Sequence, residues 1–142
     1  MDIRQIQITD SPLLANFYRN NKEHLTPWEP QRKHSLLAWQ DRTKQRVEEA
    51  KQQKAAFFIA LNSQTGKIQA ICNLTNIVRE PFHACYMGFA VDKDQEGTGL
   101  MFELCTHVID YAFNEMLLNR IMANYLPTNL RSKKLLSKLG FE

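Results

Sequence analysis

The sequence predicts an α+β fold in which helices flank a mixed, mostly antiparallel sheet. Three apolar, strand-like segments follow one another in the middle of the chain. Their connections are short, which implies antiparallel pairing because a parallel crossover needs about a dozen residues. The 142 residues, 44% of them hydrophobic, suit one domain with a single sizeable core. We therefore predict one domain, residues 1–142, with the element order β-α-α-β-β-β-α-β-α.

The elements of the N-terminal third are predicted from local signals. Residues 4–8 read as a strand because isoleucines alternate with other residues there. Ser11 is expected to cap the first helix, with Pro12 at its first position. The segment 25–30 contains two prolines, which stop helix growth, so it is predicted to be a loop. A second helix is predicted to begin near Ser35, where apolar residues recur every three or four positions.

The remaining elements follow from alternation, helical periodicity and glycine or proline stops. Strands are predicted at 56–61, 68–78, 84–91 and 120–126, a hairpin turn at 63–67, and helices at 100–116 and from Thr128 or Asn129 to Leu139, with Gly140 as the stop.

Charge and composition exclude several classes of protein. The formal net charge of +3 and pI of about 8.8 favour an acidic cofactor but are too small to argue for nucleic-acid binding. No apolar stretch approaches the roughly 20 residues of a membrane span, and the first residues lack a secretory signal pattern. The three cysteines lack C-x-x-C spacing and the four histidines do not cluster as metal ligands. We expect a cytoplasmic protein without a metal site or membrane association.

The segment Gly97-Thr98-Gly99 is the most informative feature of the chain. It joins the apolar run 85–91 to the amphipathic stretch 100–116, as in a strand, a glycine turn and a helix. Glycines permit close approach of a ligand, and the free N–H groups of a first helical turn favour a phosphate. A dinucleotide fingerprint would need glycine where Phe102 stands, and a P-loop would need G-K-[ST]. The turn predicts a pyrophosphate site, with a bare strand-to-helix turn as the alternative.

The turn resembles the acetyl-CoA loop of the GCN5-related N-acetyltransferases (GNAT family), written Q/R-x-x-G-x-G/A. Gly99 fits that pattern, whereas Glu96 and Met101 depart from it. The predicted element order is also that of the GNAT acyl-CoA N-acyltransferase fold. Family members continue past a G-F-E such as residues 140–142 with two further strands, so the resemblance implies that the C-terminal strands are missing here. Phrases at 25–30, 82–86, 120–125, 129–132 and 139–142 resemble the RimJ/RimL-like branch of the family, the acetyltransferases of ribosomal protein N-termini.

The resemblance implies acetyl-CoA as cosubstrate. The strand end would pair with its pantetheine arm, as in β-augmentation. The glycine turn would hold its diphosphate. Ser132 would face its sulfur as the general acid, and Glu29 in the 25–30 loop is our candidate base, although a base on the missing strands remains open. The cofactor-binding residues so implied are Phe89, Ala90, Val91, Gln95, Glu96, Gly97, Thr98, Gly99, Leu100, Asn129 and Ser132.

The branch implies an acceptor, the N-terminal alanine of a ribosomal protein. An α-amino group has a pKa of about 7.7–8.0 against about 10.4 for lysine. A larger fraction of N-terminal amines is therefore already neutral at neutral pH, and such a substrate depends little on a base. We expect a protein N-terminus as partner and no nucleic acid, with monomer or dimer left open.

Two other functions remain open from the sequence. One is acetylation of a small amine, such as a polyamine or an antibiotic. The other is a catalytically silent acyl-CoA-binding module, prompted by Glu96 and by the apparently truncated end. A carboxylate about 7 Å from a phosphate would lower the affinity for the cofactor by up to about a hundredfold. If Glu96 instead faces solvent, it merely favours the helix N-terminus.

Overall fold

The computed structural model describes residues 2–22, 35–123 and 130–141, with the side chain of Leu130 excepted. Within these ranges the element order confirms the predicted one. The strands are β1 (Asp2–Gln5), β2 (Ala56–Leu61), β3 (Ile68–Val78), β4 (Ala84–Val91) and β5 (Arg120–Met122). The helices are α1 (Ser11–Asn20), α2 (Leu36–Lys51), α3 (Leu100–Asn114) and α4 (Leu130–Lys138), with short 3-10 turns at Ile8–Asp10 and Lys93–Gln95.

The five strands form one sheet in the order β1-β2-β3-β4-β5. The first four pair antiparallel, as their short connections predict. β5 pairs parallel with β4, because α3 carries the chain back across the sheet between them. The α+β class with a mixed, mostly antiparallel sheet is therefore confirmed.

Helices cover the sheet on both faces, and the residues of β3 show which helices lie on which face. Cys72 and Leu74 pack in the cluster that contains α3 and Leu136 of α4. Ile71 belongs to the cluster that contains α1 and α2. Since side chains alternate along a strand, even-numbered positions in this part of β3 face α3 and odd-numbered positions face α1 and α2. Each face of the sheet thus packs against a different pair of helices.

The N-terminal boundaries differ from the predicted ones because of Asp10. Its two carboxylate oxygens accept hydrogen bonds from Arg4 at 2.7 Å each, and one also accepts from the Gln7 N–H at 2.7 Å. These bonds turn the chain, so β1 covers residues 2–5 instead of 4–8, and Ile8 is 55% exposed. The predicted cap Ser11 lies inside the helix, and its hydroxyl donates to the Ile8 carbonyl.

The other boundaries agree more closely. Ser35 caps α2 by accepting from the Ala38 N–H at 3.2 Å, as predicted. α3 ends at Asn114, two residues before the predicted end, and Leu117 follows with a φ of 57°. Gly140, with a φ of 95°, follows the last helix as predicted. The loop at 25–30 and positions 124–126 of the fifth predicted strand lie outside the described residues.

No helix in the described ranges combines the length and the apolar character that a membrane span needs.

Candidate active site

The parallel strands β4 and β5 pair over only three positions of the described chain, from Ala84↔Arg120 to Tyr86↔Met122. Beyond these pairs, residues 87–91 of β4 have no strand partner on that edge within the part of the chain that the structure describes. We call the space along this edge the opening, and β4 leads from it directly to the glycine turn.

The register decides which backbone groups of β4 face this opening. The Asp92 N–H donates to the Gln69 carbonyl at 2.8 Å. Hydrogen-bonded pairs alternate along an antiparallel ladder, so the polar backbone groups of Ala90 also point to β3. Those of Phe89 and Val91 point the other way, into the opening. Two of the three β4 residues predicted to bind the cofactor thus have backbone groups available to a ligand.

The glycine turn exposes the start of α3. Gly97 and Gly99 have φ values of 76° and 84°, a left-handed conformation that costs glycine little and other residues more. A Cβ placed on either residue would meet no atom within 4 Å. Gly97, Thr98 and Gly99 are exposed, and Gly99 is the residue that precedes the helix. The N-terminus of α3 is therefore accessible to a ligand.

The N–H groups of this turn are not equivalent. The Thr98 N–H donates to the Gln95 carbonyl at 3.3 Å, and the Leu100 N–H donates to the Thr98 hydroxyl at 3.4 Å. Those of Gly97 and Gly99 have no acceptor among the described residues. Two of the four donors predicted from the sequence are thus free, and the other two make only long bonds. The Thr98 hydroxyl donates to the Gln95 carbonyl at 2.7 Å and so holds the turn in shape.

The turn before the glycines is fastened to α1 by Asn21, which sequence reasoning missed. Asn21 is 2% exposed. Its side-chain oxygen accepts from the Lys93 N–H at 2.9 Å, and its side-chain N–H donates to the Phe17 carbonyl at 2.8 Å. Gln95, predicted to bind the cofactor, is partly buried at the end of the 3-10 turn that Lys93 begins. An asparagine just after a helix signals a cap at most, so its contact 72 positions away could not be predicted.

Glu96 is paired with Arg131 of α4, and it is not the solvent-facing side chain that the sequence left open. The two side chains form an ion pair, with Glu96 16% and Arg131 76% exposed. An adjacent guanidinium offsets the repulsion between a carboxylate and a bound phosphate. Sequence reasoning missed Arg131, because a surface arginine on a helix carries no sign of its partner.

The same ion pair brings the first turn of α4 to the start of the glycine turn. Ser132, the predicted general acid, follows Arg131 in that helical turn, is partly buried and contacts other residues. Leu136, one turn further on, is buried in the core and holds the helix in place. The predicted cofactor contact Asn129 and the candidate base Glu29 lie outside the described residues.

The three cysteines are buried and unsuited to nucleophilic attack. Burial raises the pKa of the Cys85 thiol to about 11 and raises that of Cys72 well above its ordinary value. The sulfurs of Cys72 and Cys105 lie 3.9 Å apart, between β3 and α3. A reactive cysteine needs a lowered pKa and access to solvent. None of the three cysteines is therefore a candidate nucleophile.

The whole chain, residues 1–142, matches the acetyltransferase (GNAT) domain family. Ribosomal protein uS5-alanine N-acetyltransferase of Escherichia coli (strain K12) is 40% identical over 143 aligned residues, which cover 99% of this chain and 74% of the relative. Among solved structures, ribosomal-protein-S5-alanine acetyltransferase from Vibrio fischeri superposes with a TM-score of 0.95 at 37% identity, over 99% of this chain and 78% of that one.

A more distant structure has the same fold. Mycobacterium smegmatis RimJ, in complex with CoA-disulfide, gives a TM-score of 0.88 at 21% identity, over 97% of this chain and 68% of that one. The strand edge, the glycine turn before a helix and these matches over nearly the whole of this chain agree. The chain belongs to the GNAT family of acetyltransferases.

Proposed function

We propose that this protein transfers the acetyl group of acetyl-CoA to an N-terminal α-amine, that of the alanine of ribosomal protein uS5. The proposal depends most on one observation, the edge of β4 that has no strand partner among the described residues and leads into the exposed N-terminus of α3. The acceptor is inferred from the uS5-alanine N-acetyltransferase, to which the chain is 40% identical.

The residues at the opening fit acetyl-CoA. The free N–H groups of Gly97 and Gly99 would bind the diphosphate, with the α3 dipole behind them. The edge groups of Phe89 and Val91 would bind the amides of the pantetheine arm in the manner of an added strand. Arg131 offsets the negative charge of Glu96 beside this site. When bound, acetyl-CoA supplies an acetyl group activated as a thioester.

The chain's own residues then have separate tasks. Ser132 would protonate the departing sulfur, since it lies in the first turn of α4 next to Arg131. Asn129 would contact the cofactor, and Glu29 would accept the proton that the amine loses. The protein would work on an amine that is already neutral, because an N-terminal α-amine has a pKa of about 7.7–8.0.

The test pairs a binding measurement with an activity measurement on the full chain. Acetyl-CoA is titrated calorimetrically, and acetylation is followed by mass spectrometry. The acceptors are a peptide with the uS5 N-terminal sequence, the same peptide with a blocked N-terminus and a free lysine, and spermidine. We expect binding, and acetylation of the free N-terminus only.

Three other outcomes would contradict the proposal. Acetylation of spermidine alone would replace it with a small-amine acetyltransferase. Binding of acetyl-CoA without acetylation would make the chain a silent acyl-CoA-binding module. No binding at high micromolar acetyl-CoA would remove every one of these functions.

A further inference from the structure

Asn73, in the middle of β3, has a hydrogen-bond acceptor without a partner. Its side-chain oxygen is buried and accepts no hydrogen bond from any residue that the structure describes. Asn21, the other buried amide discussed above, uses both its oxygen and its N–H group. Buried acceptors are nearly always satisfied, and an exception calls for an explanation, such as a ligand group that reaches it. Asn73 is such an exception at the centre of the sheet.

The register places Asn73 beside Gly88, an exposed residue of β4. As an odd-numbered residue of β3, Asn73 faces the α1 and α2 side of the sheet. Its partners on either side are Phe57 of β2, which is buried in the α1 and α2 cluster, and Gly88 of β4. Gly88 is exposed, and a Cβ built on it would meet no atom within 4 Å. Among the described residues, none covers Gly88, which lies one strand from Asn73.

The surface over Gly88 adjoins the place where the thioester would lie. A pantetheine arm that starts at the glycine turn would run back along β4 from Val91 towards Met87, where the opening closes at Tyr86. Gly88 lies at this closed end, between Met87 and Phe89, whose edge groups face the arm. Tyr86, 39% exposed, is on the same sheet face as Gly88 because the two are separated by one residue.

We propose that Asn73 binds the acceptor amine. This inference depends on the proposed function and adds a substrate-binding residue to it. The Asn73 side-chain oxygen accepts an N–H of the neutral primary amine over Gly88, which orients the nitrogen lone pair towards the acetyl carbonyl carbon. Tyr86 borders the space on the same face.

In the transfer a C–N bond forms and the C–S bond breaks. The sulfur takes a proton from the general acid, and the amine nitrogen gives up its proton to the base. An amide oxygen is too weak a base to take that proton. Asn73 therefore binds and orients the amine, and leaves the proton transfer to other groups.

The test compares three variants of the full chain. Asn73→Leu replaces the amide with a hydrocarbon of similar size. Asn73→Asp keeps an oxygen acceptor but adds a charge. Gln69→Leu is the matched control, because Gln69 is on the same strand and the same face but lies beyond the end of β4, opposite Asp92. For each, KM and kcat with the alanine peptide, the calorimetric Kd for acetyl-CoA and Tm are measured.

For Asn73→Leu we expect a rise of about tenfold or more in KM for the peptide. The Kd for acetyl-CoA should stay within about twofold and Tm should not fall, since an unsatisfied acceptor has been removed. For Asn73→Asp we expect an unchanged or lower KM with a reduced kcat, because a neighbouring carboxylate keeps the amine protonated. Gln69→Leu should leave KM and kcat as in the wild type.

The proposal is overturned if Asn73→Leu raises Tm and leaves KM unchanged, because Asn73 is then only an unsatisfied core amide. If Asn73→Leu does not fold, Asn73→Asp decides, and a raised KM with an unchanged kcat overturns the proposal. A wild-type protein without activity on the peptide removes the proposed function and this inference with it. A wild-type protein that is active, with an unaltered KM in Asn73→Leu, removes the inference alone.

Discussion

At the scale of single residues, the site is governed by charges whose partners come from elsewhere in the chain. Glu96 occupies the position where the family pattern has glutamine or arginine, and by itself it would repel a phosphate. Arg131, 35 positions later, supplies the opposite charge from the first turn of α4. The ion pair has no net charge and in this respect resembles a neutral side chain at that position. A departure from the family pattern is thus compensated by a second residue.

Arg131→Ala should weaken acetyl-CoA binding by about three- to tenfold, because Glu96 loses its counter-ion and its charge then repels a phosphate at the proposed site. The double variant Arg131→Ala with Glu96→Gln should recover most of the loss. Calorimetric Kd values at low and at high salt check both expectations.

Lys51→Ala, which removes an exposed cation at the end of α2, is the matched control and should not alter the Kd. Equal losses in the Arg131 single variant and in the double variant would show that Glu96 is not responsible.

At the scale of elements, the proposed site depends on a strand whose two edges differ. β4 pairs antiparallel with β3 between Ala84 and Val91, whereas its pairing with β5 reaches only Tyr86 among the described residues. In the proposed function the strand would therefore stabilise the core through one edge and bind the ligand through the other. Alternate residues do the two tasks, with Ala90 bonded to β3 and with Phe89 and Val91 facing the opening.

Amide hydrogen exchange measures this alternation directly. Addition of acetyl-CoA should slow exchange at Phe89 and Val91, whose N–H groups gain acceptors, and at Gly97 and Gly99 in the turn. Gly88 and Ala90, already bonded to β3, should change little beyond the general stabilisation by ligand. Residue-resolved NMR exchange gives the pattern. Equal slowing at all of residues 87–91 would contradict the register argument.

The sequence predicts individual strands and helices better than it predicts the contacts between residues far apart in the chain. Short connections identified the antiparallel strands, and the two glycines identified an accessible helix start. The first strand was misplaced because alternating isoleucines outweighed a local signal, the carboxylate of Asp10. The extent of the pairing between β4 and β5, and the contacts of Asn21 and Arg131, depend on residues far apart in the chain. Composition and periodicity do not encode such pairings.

At the scale of the whole molecule, one sheet separates two helical layers, and the N-terminal segment is held to it by an ionic link. Arg4 of β1 and Asp10 before α1 form a bidentate pair with distances of 2.7 Å. Burial of the carboxyl raises its pKa, but the hydrogen bonds from Arg4 and from the Gln7 N–H outweigh this and leave the pKa of Asp10 below its ordinary value. The folded state therefore binds the ionised form preferentially.

Acid should remove this stabilisation. A lowered folded-state pKa contributes stability above the unfolded value of about 3.9, and the contribution is lost as the pH falls through the lower folded value. Asp10→Asn should lower the free energy of unfolding by about 1–3 kcal/mol at pH 7. The difference from wild type should shrink below about pH 4. Urea unfolding between pH 7 and pH 3 measures it.

Asp41→Asn, at an exposed position of α2, is the control and should follow the wild type throughout. If the difference in the free energy of unfolding between Asp10→Asn and wild type stays constant with pH, Asp10 stabilises the protein through its shape and not through its ionisation.

The burial of all three sulfhydryl groups has a practical consequence for assays. Each turnover of an acetyltransferase liberates free CoA, which coloured thiol reagents detect in real time. A folded protein whose own sulfhydryls are all buried in the interior contributes almost no background to such a signal. Kinetic traces recorded this way report acetyl transfer, and a slow extra rise in colour marks unfolding of the enzyme.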